Sequence, residues 1–239
     1  MTGQRNPDPP GGISGTIFTA GFSNLPLSTF LSNLRVHGIQ VLVDVRSKPY
    51  ASYTPHFNKD QIEVSSTAAG LRYLYLGREL GGMPDNPGFY DDQGYVLYDR
   101  IAATEGFQVG INRLLDGLRK GYCLALTCGE DNPRHCHRRL LLGRVLREQG
   151  VAVAHILSSG TLISEAELLD EERRAPRQLS LFGGVEEEAQ AWRSRQAVLP
   201  GRSNCPRKPT GRKPRSPSRF PIHPPPLTFS PASPIITRP

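Results

Sequence analysis

Between Gly15 and Ile163 five short apolar runs alternate with longer segments of helical periodicity, and no other feature of the 239-residue chain restricts its fold as strongly. The runs are Thr16 to Ala20, Ile39 to Val45, Leu71 to Leu76, Tyr122 to Cys128 and Val151 to Ile156. Continuous apolar runs of this length suit strands buried on both faces, and parallel strands need crossovers that are usually helical. The intervening patterns supply them. Leu27, Phe30, Leu31 and Leu34 stop at Gly38; Phe107, Ile111, Leu114, Leu115 and Leu118 stop at Gly121. Asn132-Pro133 reads as an N-cap with proline in the first turn, opening a helix that runs to Gln149 and stops at Gly150. The expected fold is an α/β domain of three layers around a mainly parallel, Rossmann-like sheet.

The flanks differ in composition. Residues 1–14 read as a disordered leader, 15–163 as the α/β domain, 164–198 as an acidic helix and linker, and 199–239 as a disordered tail with 12 of the 22 prolines. The net charge of +7 belongs to that tail, where eight Lys or Arg face no Asp or Glu, leaving the rest of the chain close to neutral. A membrane span and a signal peptide are excluded by the lack of a long apolar run, so a cytoplasmic protein is expected. Four cysteines are too few for a secreted disulfide scaffold, which makes free thiols, ligands or catalysts of them.

Ligands of open α/β sheets sit beyond the carboxyl ends of the strands. Two such corners carry chemistry. The segment Asp44 to Pro49 offers Arg46 and Lys48 for a phosphate or carboxylate, with Asp44 placed to hold Arg46. The segment Cys128 to Arg138 offers a thiol at a strand end before a helix start, with Arg134, Arg138 and His137 nearby; that setting favours thiolate. Cys128 is read as nucleophile or redox thiol, with Glu130 and His137 as proton carriers and Asp44, Arg46, Lys48, Arg134 and Arg138 as the anion-binding set. No cofactor is required by this reading. Alternatively, Cys128, Cys136 and His137 are zinc ligands, although adjacent residues on a helix point in different directions. A blander alternative places Cys136, Leu140 and Gly143 on a core-facing helical stripe, with His137 and the arginines toward solvent. Tyr50, Tyr53, His56 and Phe57 suit stacking on a planar ring or packing in a surface loop. His37 and His155 read as structural.

Several of these segments together carry a resemblance. Thr19-Ala20-Gly21-Phe22-Ser23, Asp44-Val45-Arg46-Ser47-Lys48-Pro49, His56-Phe57-Asn58-Lys59, Leu76-Gly77-Arg78-Glu79-Leu80-Gly81-Gly82 and Cys128-Gly129-Glu130 followed by Cys136-His137-Arg138 resemble, in order, the domain of unknown function family 488. The resemblance covers about Thr16 to Ile156, with Gly129 where that family often carries alanine. It implies the domain and leaves the reaction open.

Past the domain, Gln178-Leu179-Ser180-Leu181-Phe182 looks like the peptide by which bacterial polymerases and repair proteins bind the DNA sliding clamp. Leu179, Leu181 and Phe182 are apolar anchors and Gln178 a polar one. A short element packed on the domain is the competing reading of those five residues. The sequence thus predicts a thiol-centred, anion-binding enzyme in DNA maintenance or repair, with the clamp as partner and DNA contacted through the basic tail. The alternatives are a non-catalytic nucleic-acid or nucleotide-binding module and a metal-binding protein.

Overall fold

The computed structural model describes residues 15–174 and 192–198; the leader, the peptide Gln178 to Phe182 and the tail lie outside the described residues. The elements in chain order are β1 (Thr16–Gly21), α1 (Leu27–Val36), β2 (Val41–Asp44), α2 (Lys59–Ala68), β3 (Arg72–Tyr75), α3 (Gly77–Leu80), α4 (Tyr98–Ala102), α5 (Glu105–Arg119), β4 (Leu124–Cys128), α6 (Arg144–Glu148), β5 (Ala152–Ile156), β6 (Leu162–Ser164) and α7 (Glu165–Arg174). All five expected strands form. With a sixth that was not expected, β6, they make an α/β sheet in the order β3-β2-β4-β1-β5-β6, parallel except for β6, which pairs antiparallel with β5 at one edge.

Side chains alternate across the sheet and divide the core in two. Leu42 and Ala125 face α1 and α2, where Phe30, Leu34 and Ile62 meet them. Val41, Val43, Leu124 and Leu126 face the other way, onto Ile111, Leu114 and Leu118 of α5 and Leu141 to Leu146 around α6. Unlike the dinucleotide-binding arrangement, in which β1 lies beside β2, this sheet inserts β4 between them. The connections leaving β1 and β4 then pass over opposite faces, opening a crevice at their carboxyl ends. Register sets what meets there: Gly21 is level with Cys128, and Asp44 with Thr127.

Local signals account for several ends. Thr104 caps α5 by accepting from the Phe107 amide at 3.2 Å. Ser164 and Glu167 form a reciprocal capping box at the start of α7, with bonds of 3.1 and 2.7 Å. The expected helix from Asn132 to Gln149 is corrected. Asn132 does cap, accepting from the Arg134 amide, but only a single tight turn, Pro133–His135, follows. Cys136 is extended at φ −100° and ψ 141°, a widened π-type segment spans Arg138–Gly143, and regular α-helix begins at Arg144. The side-chain stripe drawn for a continuous helix fails with it. Arg138 and Arg139 are buried and Leu140 is half-buried.

Trp192 to Val198 pack back on the domain, an arrangement that composition gave no sign of. The Tyr98 amide donates to the Trp192 carbonyl at 2.9 Å, the Ser194 amide to Val96 at 2.9 Å and the Val198 amide to Gly94 at 2.8 Å. No helix among the described residues is long and apolar enough to cross a membrane.

Candidate functional site

At the crevice β1 and β4 remain paired beyond their ends, through Phe22 N–H to the Cys128 carbonyl and Ser23 N–H to that of Gly129. The turn after β4 passes so close to Gly21 that a Cβ there would lie 2.1 Å from the Glu130 carbonyl oxygen. Arg138 fixes the same turn from beneath. Its Nη1 donates to the Glu130 carbonyl and its Nη2 to that of Asp131 at 2.5 Å, and it is fully buried. Arg138 is thereby spent on shaping the loop.

The extended backbone at Cys136 is what lets two adjacent residues turn to one partner. Cys128 Sγ lies 3.7 Å from His137 Nδ1, Cys136 Sγ lies 3.8 Å from the same nitrogen, and the three ligand atoms fall within 4.8 Å of one another. His137 Nε2 is 3.0 Å from the Val45 carbonyl. A carbonyl only accepts, so Nε2 carries a proton, and Nδ1 is left to face the sulfurs. Gly82 backs the ring: a Cβ there would lie 2.5 Å from His137 Cγ.

The two thiols are unequal. A hydrogen bond from the Cys136 thiol holds Cys128 well below the ordinary thiol range against the opposing cost of burial, with the charges of His137 and Arg138 adding to the effect. Burial and the neighbouring Cys128 sulfur push Cys136 well above that range. Of the two, Cys128 is the thiol whose ionised form its surroundings favour, with Cys136 as its donor. Cys123, raised by burial, stands apart from the crevice beside Gln40 and His37.

Over Cys128 opens a cavity of about 320 Å³, lined by Phe22, Arg46, Ser47, Lys48, Ala51, Tyr53, Thr54, Gly82, Met83, Cys128, Gly129, Glu130 and His137. Arg46 is held there rigidly. Its Nε and Nη2 donate to the two carboxylate oxygens of Asp44 at 2.9 and 2.6 Å, Nη2 also donates to the Phe57 carbonyl, and its guanidinium lies 5.0 Å over the Phe22 ring. Tyr73 donates to Asp44 at 2.7 Å; burial and that carboxylate push its hydroxyl up, so it stays a donor. Nη1 of Arg46 has no hydrogen-bond partner among the described residues and is the nitrogen left for an anion.

The crevice therefore gathers Asp44, Arg46, Lys48, Cys128, Glu130, Cys136 and His137. Glu130 is exposed at the rim and accepts from the Asn132 amide at 2.9 Å, and Lys48 is exposed, 3.8 Å from Asp85. Arg134 is not part of it: it pairs with Glu171 on α7. Phe57 is buried and stacks on Phe22 at 3.9 Å, whereas Tyr53 is exposed at the cavity mouth. Phe22, Ser47, Gly82 and Met83 were missed in the sequence. Phe22 directly follows a strand, the same signal that marked Asp44 and Cys128, and Ser47 lies within the Asp44 to Pro49 corner; for Gly82 and Met83 the Gly81-Gly82 pair was the hint.

Comparison with known families gives a match. The family described as Domain of unknown function DUF488 matches residues 26–145, which span α1 to the second residue of α6 and include every residue just placed in the crevice except Phe22. Neither a curated protein nor a solved structure matches the chain.

Proposed function

The chain belongs to the DUF488 family, and from the crevice its fold builds we propose that it is a thiolate-based enzyme acting on an anionic substrate. One observation carries this reading: Cys128 faces a cavity with Arg46 on its wall while Cys136 and His137 close on its sulfur from behind. The proton of Cys128 passes to His137 Nδ1, the imidazolium being steadied by the Val45 carbonyl. Sγ attacks the electrophilic atom of the substrate, forming one bond to it; the leaving group departs with its electron pair and takes the proton back from Nδ1. Arg46 and Lys48 hold the anionic group and Asp44 and Tyr73 orient Arg46; water then attacks the same atom, its proton passing to Glu130 at the rim as the bond to Sγ breaks and Cys128 leaves as thiolate. Alkylation by iodoacetamide, followed residue by residue in mass spectra from pH 5 to pH 8, tests the first step. Cys128 is expected to react faster than Cys123 near neutral pH, and equal rates overturn the proposal.

A second reading rests on the orientation of His137. An Nδ1 lone pair beside two sulfurs, with Nε2–H on a backbone carbonyl, is the donor set of a three-ligand zinc site with an open position. Stoichiometric zinc in the purified protein, lost in Cys136→Ser, would establish it in place of the thiolate.

The setting in DNA maintenance comes from the sequence of Gln178, Leu179, Leu181 and Phe182 and from the basic tail. Capture by a bacterial sliding clamp is expected for the full chain and not for Leu181→Ala with Phe182→Ala. Capture that survives both substitutions removes the clamp from the account.

A further inference from the structure

A second cavity, of about 440 Å³, lies where the Trp192 strap crosses α6 and α7, and its lining holds five arginines against two glutamates. Both glutamates are already engaged. Arg139 donates through Nε to Glu165 and through Nη1 and Nη2 to Glu172 at 2.7 and 3.0 Å. Two of the other guanidinium groups are held in place without a carboxylate of the lining. Arg144 lies 4.4 Å over the Trp192 ring and pairs outward with Glu148; Arg193 lies 4.4 Å over Tyr95 and pairs with Asp91. Arg147 and Arg195 make no ion pair among the described residues.

Converging cations raise the local potential and disfavour the empty state, whereas a guanidinium fork matches the oxygens of a phosphate. Stacking on aromatic rings fixes two of the planes, so little side-chain freedom remains to be lost on binding. Trp192 is itself anchored by its Nε1, which donates to the Leu140 carbonyl at 2.7 Å. A smaller cavity that shares Arg195 and Glu172 with it extends to Arg134 and His135.

We infer that this cleft is a phosphate-binding site, separate from the Cys128 crevice, in which Arg144, Arg147 and Arg195 grip the phosphate against the Trp192 wall. The phosphate belongs either to a nucleic-acid chain or to a small free species. The inference does not depend on the thiolate reading.

The chain contains a single tryptophan, and it stands in this cleft, so its emission reports on the site directly. The full chain is titrated in turn with inorganic phosphate, a 5′-mononucleotide and a single-stranded oligonucleotide while Trp192 fluorescence is followed. A saturable change is expected. Arg147→Ala with Arg195→Ala should weaken it by about a hundredfold, each lost guanidinium–phosphate bond being worth roughly tenfold. Both side chains are exposed and without ion pairs among the described residues, so the melting temperature should hold. Saturation by phosphate or the mononucleotide at the oligonucleotide's affinity identifies a free phosphate as the ligand; saturation by the oligonucleotide alone identifies a nucleic acid. Oligonucleotide binding that leaves Trp192 unmoved, no response to any of the three probes, or a double variant that titrates like the parent overturns the site.

Discussion

His155 and His137 each stand between a hydroxyl or thiol on a strand and a fixed acceptor, but in opposite surroundings. Around His155 the distances are short: Thr19 Oγ1 to Nδ1 is 2.7 Å and Nε2 to Glu165 Oε2 is 2.8 Å, the order of groups found in a hydrolytic triad. Both Thr19 and His155 are 0% exposed, so no substrate reaches them. Around His137 the sulfur distances are looser, yet Cys128 opens on a cavity with an oriented arginine. Short bonds among buried groups report completed satisfaction, and the His155 array, which extends through Glu165 to Arg139 and Glu172, ties β1, β5, α7 and the π-type segment together. Reactive potential lies where a group is left with something unsatisfied and with access.

The largest effect that bears on this contrast should come from Glu165→Gln. It removes the more buried of the two carboxylates on Arg139, leaving Glu172, and should cost about 3 kcal/mol in chemical denaturation. The rate of Cys128 alkylation in the surviving folded protein should not change; a change would mean that the two arrays are coupled. Next, Cys136→Ser replaces the thiol donor beside Cys128 with a shorter hydroxyl. Loss of a bond to a charged sulfur corresponds to about 1.5–3 kcal/mol, so alkylation of Cys128 near pH 6 should slow by roughly tenfold or more. An unchanged rate would assign the thiolate to His137 and Arg138 alone. Gly82→Ala pushes a methyl into His137 and should cost about 1–3 kcal/mol by overpacking while slowing Cys128. A variant that is destabilised but fully reactive would show that the ring position does not matter.

The smallest effect is in pH. Burial holds His155 below its ordinary value, so the folded state keeps it neutral where an unfolded chain takes up a proton near about pH 6.5. Burial works to raise Glu165, but the bonds from His155 and Arg139 hold it below the usual carboxylate range. Both shifts are downward, so the stability they give is complete above the unfolded values and is lost as pH falls through the folded ones. Melting temperature should begin to fall below about pH 6.5 and fall further through the carboxylate range. His155→Gln should remove the first part of that slope. Retention of the whole slope would place the titrating group elsewhere.

Five of the six strands and the helices α1, α5 and α7 were legible from their repeated patterns, and Gly38, Gly121 and Gly150 mark stops through positive φ. The helix α2, with only Ile62 and Ser66 buried, and the short edge strand β6 were not legible. The corners at Asp44 and Cys128 were legible for a topological reason, since strand ends are where such sheets bind. What the sequence hid depends on single dihedrals and on distant packing. The extended backbone at Cys136 interrupts a stretch whose pattern reads as one helix, and from it follow both the convergence of Cys136 and His137 and the burial of Arg138. Short α3 and α4 have too few residues for a period to appear. Arg134 stood beside the thiol in sequence, but the turn after Asn132 sends it to α7.

The strap at Trp192 to Val198 changes what counts as the end of the folded body. Protein cut after Arg174 would lose acceptors and donors for the amides of Val96 and Tyr98 and the carbonyls of Val96, Gly94 and Leu140, together with the ion pair of Asp91. Limited proteolysis offers the corresponding view: a single nick between Arg174 and Trp192 should yield two fragments that stay together through gel filtration and part only in denaturant. Shortening the protein at Pro200 spares all of these bonds, which makes that position, and not the end of the last helix, the place to divide body from tail.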